Sequence, residues 1–458
     1  MADMITTSVS WGGKETLEYF LKPLYVGKDP RTLGFRVLTN IKSGQKLNYF
    51  STFNKVTRAW VQGFVSANES TLTQRTITVA PLKAEVSQNA RQFEDTVFEQ
   101  ALASGVDTNE VQGIIEQIML SVFSQATMSD FNRLAWLADT DKETLVSSTY
   151  GNYSGTADTD YNMFDGFWKL IFDNAATSPS TSQIKRLSLN STTYLASAAV
   201  AQVQTLTVSL SSGGSEGDDG TITVNGVAYT ITYTTNVATT ITTFVAANLA
   251  AFAARGITLS GTSTTIVMTS AIAGQPFTKP VYAASTGSGL AISVADTTPN
   301  TAPGNLTEDK GIVILRAMYD AQPKNLKVTP NDQKAFYVSP DIEADYRMYL
   351  EDLSTEQANT MLIDGKPYLT FRGIPVVSVE TWEQYEDDWP HVNSSTNPAY
   401  HTKAILTIPG NLIVGIDGTA DDMNIQYWYN IDEQESRMRV EYNLGTQYVH
   451  NDLIVVAY

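Results

Sequence analysis

The sequence predicts an α+β fold of more than one packing unit, and three observations predict it. Short apolar runs of strand length recur before residue 82 and dominate after about residue 335. One long apolar stripe at helical spacing lies between Asp107 and Leu137. A charge-poor stretch rich in Thr, Ser, Ala and Gly interrupts the chain from Val200 to Asn305. At 458 residues the chain exceeds one hydrophobic core of ordinary size, so two or three units are expected. Its 42% hydrophobic and 17% charged content predicts order over nearly its whole length.

Residues 1 to 30 mix Gly12-Gly13, Pro23 and Pro30 with Trp11, Tyr19, Phe20 and Tyr25 and show no sustained period. They read as an extended arm that must find its burial on another surface. Trp60 to Val65 and Thr76 to Val79 are β-rich runs joined by the polar stretch Ser66 to Arg75, which predicts a long hairpin with little around it to pack on. The clearest helix then opens at Asp107, with Glu110 placed to complete a capping box. Val111, Ile114, Ile115, Ile118 and Val122 form its apolar face, Glu116, Gln117 and Gln125 lie off it, and a break is expected near Ser129-Asp130 before Leu134 and Leu137.

Within the charge-poor stretch, Thr221 to Tyr233 alternates around Asn225-Gly226, the strongest short hairpin signal. An alanine-rich helix over Thr240 to Ala254 stops at Gly256, and the runs from Ile257 and Thr265 complete a strand-strand-helix-strand-strand unit. Pro299, Pro303 and Gly304 close it, so residues 200 to 305 read as an inserted α/β domain. Beyond it come a helix over Asp309 to Ala321, a strand over Ala335 to Ser339 and a helix over Asp341 to Leu350. Strands over Ile374 to Val379, Ala404 to Ile408 and Asn411 to Ile416 follow, the last two flanking the turn pair Pro409-Gly410. The final strands, Met438 to Tyr442 and Leu453 to Tyr458, predict that the end of the sequence is built into the fold.

Forty-eight acidic residues against thirty basic ones give a formal net charge of −18, the wrong sign for gripping a phosphate backbone. Sequence-specific nucleic-acid binding is therefore not expected, although enclosing nucleic acid is compatible. The absence of cysteine excludes disulfides, zinc-thiolate sites and thiol nucleophiles. The opening Met1 to Thr7 lacks a basic segment followed by an apolar stretch, and no apolar run is long enough to cross a bilayer, so a soluble product used inside a cell, with no membrane partner, is expected.

Motifs of chemistry are lacking. His391, His401 and His450 are scattered, and Gly12-Gly13-Lys14-Glu15 lacks the leading glycine and the hydroxyl of a phosphate loop. Gly287-Ser288-Gly289 is too short for a nucleophile elbow. Asp158 to Asn162 begins like a calcium loop, but Met163 replaces the needed glycine and Lys169 the bidentate glutamate. The clusters Asp218-Asp219, Glu386-Asp387-Asp388 and Asp421-Asp422 read as solvated loop charge rather than as cation sites between subunits. No catalytic, cofactor-binding or metal residue is assigned, no cofactor is expected, and the chain reads as a non-enzyme.

The order of arm, long hairpin, long helix and β-rich second half resembles the tailed-phage major capsid fold named after coliphage HK-ninety-seven. Three phrases are similar too: Thr76 to Ala84 leading toward the helix, Arg372 to Val377, and Asn411 to Asp417. Phe20-Leu21-Lys22-Pro23-Leu24-Tyr25 resembles, more faintly, shells of crAss-like phages. The resemblance covers residues 1–199 and 306–458. It implies an N-terminal arm at 1–30, an extended-loop region at 31–82, a peripheral/axial domain in two parts, 83–199 with the spine helix and 306–458, and an inserted surface domain at 200–305. It also implies a structural protein that self-assembles as hexamers and pentamers into an icosahedral shell, with scaffolding, portal and decoration or head-fibre proteins as partners. The expected location is the virion capsid, after assembly in the host bacterial cytoplasm. Rival readings are another virion part, such as a tail-tube or adaptor protein, and a carbohydrate-active enzyme suggested by seven tryptophans and twenty-two tyrosines.

Overall fold

A computed structural model describes residues 30–41, 44–50, 57, 59–63, 72–89, 114–147, 152–180, 183–274, 276–353, 360–363, 366–385, 402–417, 425–433 and 435–458. The fold is α+β. It divides into two compact units, residues 1–135 with 412–449, and residues 136–411 with 450–458. The predicted arm lies outside the described residues apart from Pro30, as do the Asp107 capping box and Val111.

The first unit is organised by the fourteen-residue strand Glu435–Tyr448. At about 3.3 Å per residue it spans roughly 45 Å. Leu412–Asp417 and Gln426–Asn430 pair antiparallel with its later and earlier parts, Ala80–Gln88 pairs antiparallel with Ser436 to Leu444, and Arg36–Leu38 adds in parallel to Leu412–Asp417. Met438 and Val440 are buried between half-buried or exposed neighbours, the period-two signature of a sheet with one covered face.

The helix runs over Ile114–Leu137 without the expected break, because Ser129 is buried in the continuing helix. Of the predicted stripe only Val122 has a described side chain, and the expected continuation at Leu134 and Leu137 is buried. Met119, Phe123, Thr127, Phe131 and Leu134 are buried at three- and four-residue steps, while Val122 is only half-buried and Gln117 is exposed. Thr127 hides in that face by donating its hydroxyl to the Phe123 carbonyl at 2.8 Å. The side chains of Ile114, Ile115 and Ile118 lie outside the described residues. The Phe131 ring meets Tyr442 of the long strand at 6.2 Å, so the helix does reach strands beyond residue 335.

The second unit holds an eight-stranded mixed sheet. Its order is Thr360–Ile363, Lys366–Phe371, Ile374–Ser378, Ala335–Val338, Ala404–Thr407, Ile454–Ala457, Ile184–Leu187, Ala175–Ala176. Every residue of three central strands, Ala335–Val338, Ala404–Thr407 and Ile454–Ala457, is buried, which requires cover on both faces. Phe336 and Val338 pack with Ile314, Leu315 and Met318 of the helix Lys310–Asp320 and with Ile342, Tyr346 and Leu350 of the helix Pro340–Asp352. Pro340 suits the first helical turn, where its missing N–H costs nothing. Tyr337, pointing the opposite way by strand alternation, joins an aromatic cluster. Trp136, Phe167, Trp168, Phe172, Trp382 and Tyr458 belong to that cluster, with neighbouring ring centroids 4.7–5.3 Å apart.

The predicted strand pair around Pro409-Gly410 is present, but its members enter different sheets: Ala404–Thr407 belongs to the second unit and Leu412–Asp417 to the first. Tyr458 is built in as expected, donating its N–H to Leu187 O and accepting from Leu189 N, both at 3.1 Å.

Residues 203–298 form two further sheets. One joins Val227–Thr232, Asp219–Val224 and Val281–Ala284, and the other joins Ile257–Gly261, Thr265–Ser270, Val203–Leu210 and Leu290–Thr298. Asn225 and Gly226 take φ of 49° and 75°, the left-handed pair the Asn-Gly signal demands. The helix Val237–Ala253 starts at Asn236, whose side-chain Oδ1 accepts from Thr239 N–H at 2.8 Å. The buried cluster here, from Leu206 to Leu290, draws on no residue outside this stretch. Three strands escaped the sequence reading: Val203–Leu210, Val281–Ala284 and Leu290–Thr298. At the neck, Val200 pairs with Thr301 and Leu195 with Leu306, so the chain enters and leaves side by side.

Candidate functional site

The predicted hairpin exists with a different first strand. Leu72–Ile77 pairs antiparallel with Gln45–Phe50, from Gln45 opposite Ile77 to Phe50 opposite Leu72. Trp60 to Gly63 form no strand, and Trp60 is exposed. Among the described residues of the hairpin only the base is buried. Ile77 packs with Ile41, Val79 and Ile413, with Leu47 partly covered beside them. Gln447 Nε2 donates to Thr76 O at 2.9 Å, and the Arg75 guanidinium lies 4.4 Å from the Tyr448 ring centroid. Gly415 and Gly445 face each other across the sheet beneath this point, and a Cβ on Gly445 would overlap the Thr78 carbonyl. Beyond the base, the side chains of Lys46, Asn48, Thr73 and Gln74 are exposed, as is Leu72 at the far end. A two-stranded hairpin in water is marginal without a third strand or a covering surface. The hairpin's own sheet leaves the Leu72 side chain uncovered among the described residues.

A second constellation lies in the other unit, where the helix Phe167–Asn174 carries Lys169 in an otherwise apolar run. A buried ammonium needs carboxylates. Lys169 Nζ lies 2.7 Å from Asp141, 3.4 Å from Asp173 and 3.9 Å from Asp139. Lys142, also buried, reaches Asp158 at 3.3 Å and lies 3.3 Å from the Tyr161 ring centroid. Asp165 accepts from the N–H and hydroxyl of Thr140 at 3.1 and 2.8 Å. The calcium-like segment from Asp158 is thus one wall of an ion-paired nest, with Lys142 against Asp158 and Tyr161.

Burial raises the Asp139 pKa to about 7, against the opposing pull of Lys169 and the hydrogen bond from Asp141 N–H. Burial alone would lower Lys169, but Asp139, Asp141 and Asp173 together hold it above the ordinary lysine value. Asp139 is the less favoured partner because Lys169 sits closest to Asp141. An acid with a raised native pKa binds more protons folded than unfolded between about pH 4 and 7, so it lowers stability as pH rises through that window. The slope for one proton is at most about 1.4 kcal/mol per pH unit. Asp139→Asn should flatten this slope, which urea unfolding at pH 5 and pH 8 would reveal; an unchanged slope would place the proton elsewhere.

The other sequence candidates gather no chemistry. His450 is held through its backbone, its N–H donating to Asn411 Oδ1 at 2.8 Å and its carbonyl accepting from Asn411 Nδ2 at 2.9 Å. Gly287-Ser288-Gly289 is a turn, with Gly289 N–H donating to Asp218 Oδ2 at 2.7 Å. Ser215 N–H donates to the same oxygen, and these backbone donors hold the Asp218 pKa below the usual carboxylate range. His391, His401, Glu386-Asp387-Asp388, Asp421-Asp422 and Gly12-Gly13 lie outside the described residues. Among the described residues no group of three or more His, Asp or Glu is placed to hold a metal ion, and no helix is long and apolar enough to cross a membrane.

No family model and no curated protein matches the chain. Among solved structures, it is similar to the capsid of a native GTA particle, at 10% identity and a TM-score of 0.39 over 98% of this chain and 95% of that one. It is similar to the capsid of the cyanophage P-SCSP1u, at 10% identity and 0.39 over 98% and 92%. A structure from Gordonia phage Cozz gives 9% identity and 0.38 over 98% and 90%.

Two elements of these sites were missed in the sequence. Gln45–Phe50 gave little signal because most of its described side chains are exposed. Lys169 did give one, a lone cation inside Phe-Trp-Lys-Leu-Ile-Phe, whose only stable setting is a nest of carboxylates.

Proposed function

We propose that the chain is the major capsid protein of a tailed phage, assembling as hexamers and pentamers into an icosahedral shell around the genome. One observation carries the reading: a hairpin whose described residues are buried only at its base is seated on the same sheet that the long helix meets through Phe131 and Tyr442. Such a hairpin is best satisfied by lying across a neighbouring copy, as a shell built of one chain requires. Under this reading residues 1–30 are an arm, 31–82 the extended-loop region, and 83–199 with 306–458 the two parts of the peripheral/axial domain. Residues 200–305, with their own buried cluster and paired neck, are an inserted surface domain. Scaffolding, portal and decoration proteins are its partners, the host cytoplasm its place of assembly, and no residue has a catalytic role.

Replacing residues 45–77 by a short Gly-Ser linker should abolish particles in electron micrographs while the near-ultraviolet circular dichroism of the aromatic cluster persists. Changing exposed Trp60 and Leu72 to Asp in the intact hairpin should do the same with less risk to the base. Normal particles from either variant would refute the reading.

A further inference from the structure

We infer that Asn225-Gly226 is a self-modifying site that Thr278 holds shut, so that the pair marks any chain in which the stretch 203–298 has opened. The sequence supplies the reactants. Asn225 is the only asparagine of the chain followed by glycine. The backbone nitrogen after an asparagine attacks the side-chain carbonyl carbon most readily when its own residue has no side chain to crowd the closing ring. A bond from Gly226 N to Asn225 Cγ closes a cyclic imide, the Cγ–Nδ2 bond breaks, and Nδ2 leaves as ammonia with the proton from Gly226 N. Water then opens the imide at either carbonyl. The product is aspartate or, with the main chain rerouted through the side chain, isoaspartate, and no oxidant or reductant is needed.

The structure holds one half of the amide and leaves the other. Asn225 is fully buried, and its Oδ1 accepts from Thr278 N–H at 2.8 Å and from the Thr278 hydroxyl at 3.0 Å. Asn225 N–H donates to the same hydroxyl oxygen. Two donors on one carbonyl oxygen draw charge away from Cγ, as an oxyanion hole does. Nδ2 is buried with no acceptor among the described residues, so its departure breaks no hydrogen bond there. What the fold withholds is approach. Asn225 and Gly226 are set in their left-handed turn between the paired Val224 and Val227, and Cγ must leave Thr278 before Gly226 N can reach it. Thr278 belongs to the strap from Pro276 to Pro280, in which the Phe277 N–H is held in the same way by Gln202 Oε1 at 2.9 Å. Local opening of this strap is therefore what frees Asn225.

Conversion runs one way. Isoaspartate puts an extra backbone carbon into a turn whose geometry admits only two residues between Val224 and Val227. Either product also adds a carboxylate at a buried position. A chain that has opened and reacted cannot return to its first state.

Full-length protein incubated at mildly alkaline pH and mapped by peptide mass spectrometry, with enzymatic methylation to count isoaspartate, gives the test. Native protein should convert at Asn225 several-fold more slowly than the same protein in denaturing guanidinium chloride. Thr278→Val, which keeps the N–H donor and loses both hydroxyl bonds, should convert several-fold faster than native, while Thr278→Ser stays near native. Limited proteolysis of the 203–298 stretch shows whether each variant is folded. If Thr278→Val is not, native protein below its unfolding transition carries the comparison, and conversion should climb there in step with hydrogen exchange at Phe277 and Thr278. Native conversion as fast as in the denatured chain, a folded Thr278→Val no faster than native, or exchange that rises without conversion would show that Thr278 does not guard the site. No conversion in the denatured chain would show that the pair is inert, and any of these results overturns the inference.

Discussion

Trp168→Ala should unfold the second unit under conditions where the native chain is stable. Trp168 is fully buried and meets Phe172, Trp382 and Tyr458 at 5.1, 4.9 and 6.3 Å between ring centroids. Truncating a buried tryptophan costs about 3–5 kcal/mol, a large share of the about 5–15 kcal/mol that holds a domain folded. The indole N–H of Trp168 finds no acceptor among the described residues, so Trp168→Phe keeps much of the ring packing and removes an unmatched donor. It should cost far less, within about 1.5 kcal/mol. Urea unfolding of the three proteins, followed by near-ultraviolet circular dichroism, would order them; equal losses for Ala and Phe would show that the indole itself, not the packing, matters.

Gly445→Ala should be the most damaging small substitution in the first unit. The added methyl would meet the Thr78 carbonyl, a backbone group that cannot rotate away, whereas at the facing Gly415 it would meet the Ile77 methyl at 2.8 Å, which can. Overpacking of this kind costs about 1–3 kcal/mol where side chains can adjust and more where backbone must move. Gly445→Ala should therefore lower the urea midpoint and open the hairpin base to limited proteolysis, while Gly415→Ala should do either only weakly. Similar effects at both positions would mean that the Thr78 link shifts freely.

What was legible in the sequence follows from where each signal resides. The runs at Ala335, Ala404 and Ile454 declared themselves because strands covered on both faces are apolar throughout. The Asn225-Gly226 turn did so because its left-handed backbone restricts residue type. The described part of the long helix's buried face was only partly legible because aliphatic residues mark such a face in sequence, whereas this one includes Thr127, satisfied by its own helix. The first hairpin strand was misplaced because Trp60 to Val65 has the higher β propensity, while Leu72–Ile77 pairs with the more polar Gln45–Phe50. The ion-paired nest needed Asp139 and Asp141 of one loop brought to Lys169 of a later helix, information no local window holds; only Asp173, four residues along the same helix, was within local reach.

The paired neck at Val200 and Thr301 bears on how so long a detour is tolerated. Strand Ile184–Leu187 must find Ile454–Ala457, with Lys185 opposite Val455. Roughly 270 residues separate them, about 100 of which lie beyond the neck; by the logarithmic law of loop closure, that excess adds only about 0.4 kcal/mol even if the detour were unstructured. Once Gly304 N–H bonds Ser197 O at 2.9 Å and Ala196 N–H bonds Asn305 O at 3.0 Å, the excursion is short-circuited and even that small entropic term vanishes. The neck thus closes the excursion at almost no thermodynamic cost to the sheet that carries it.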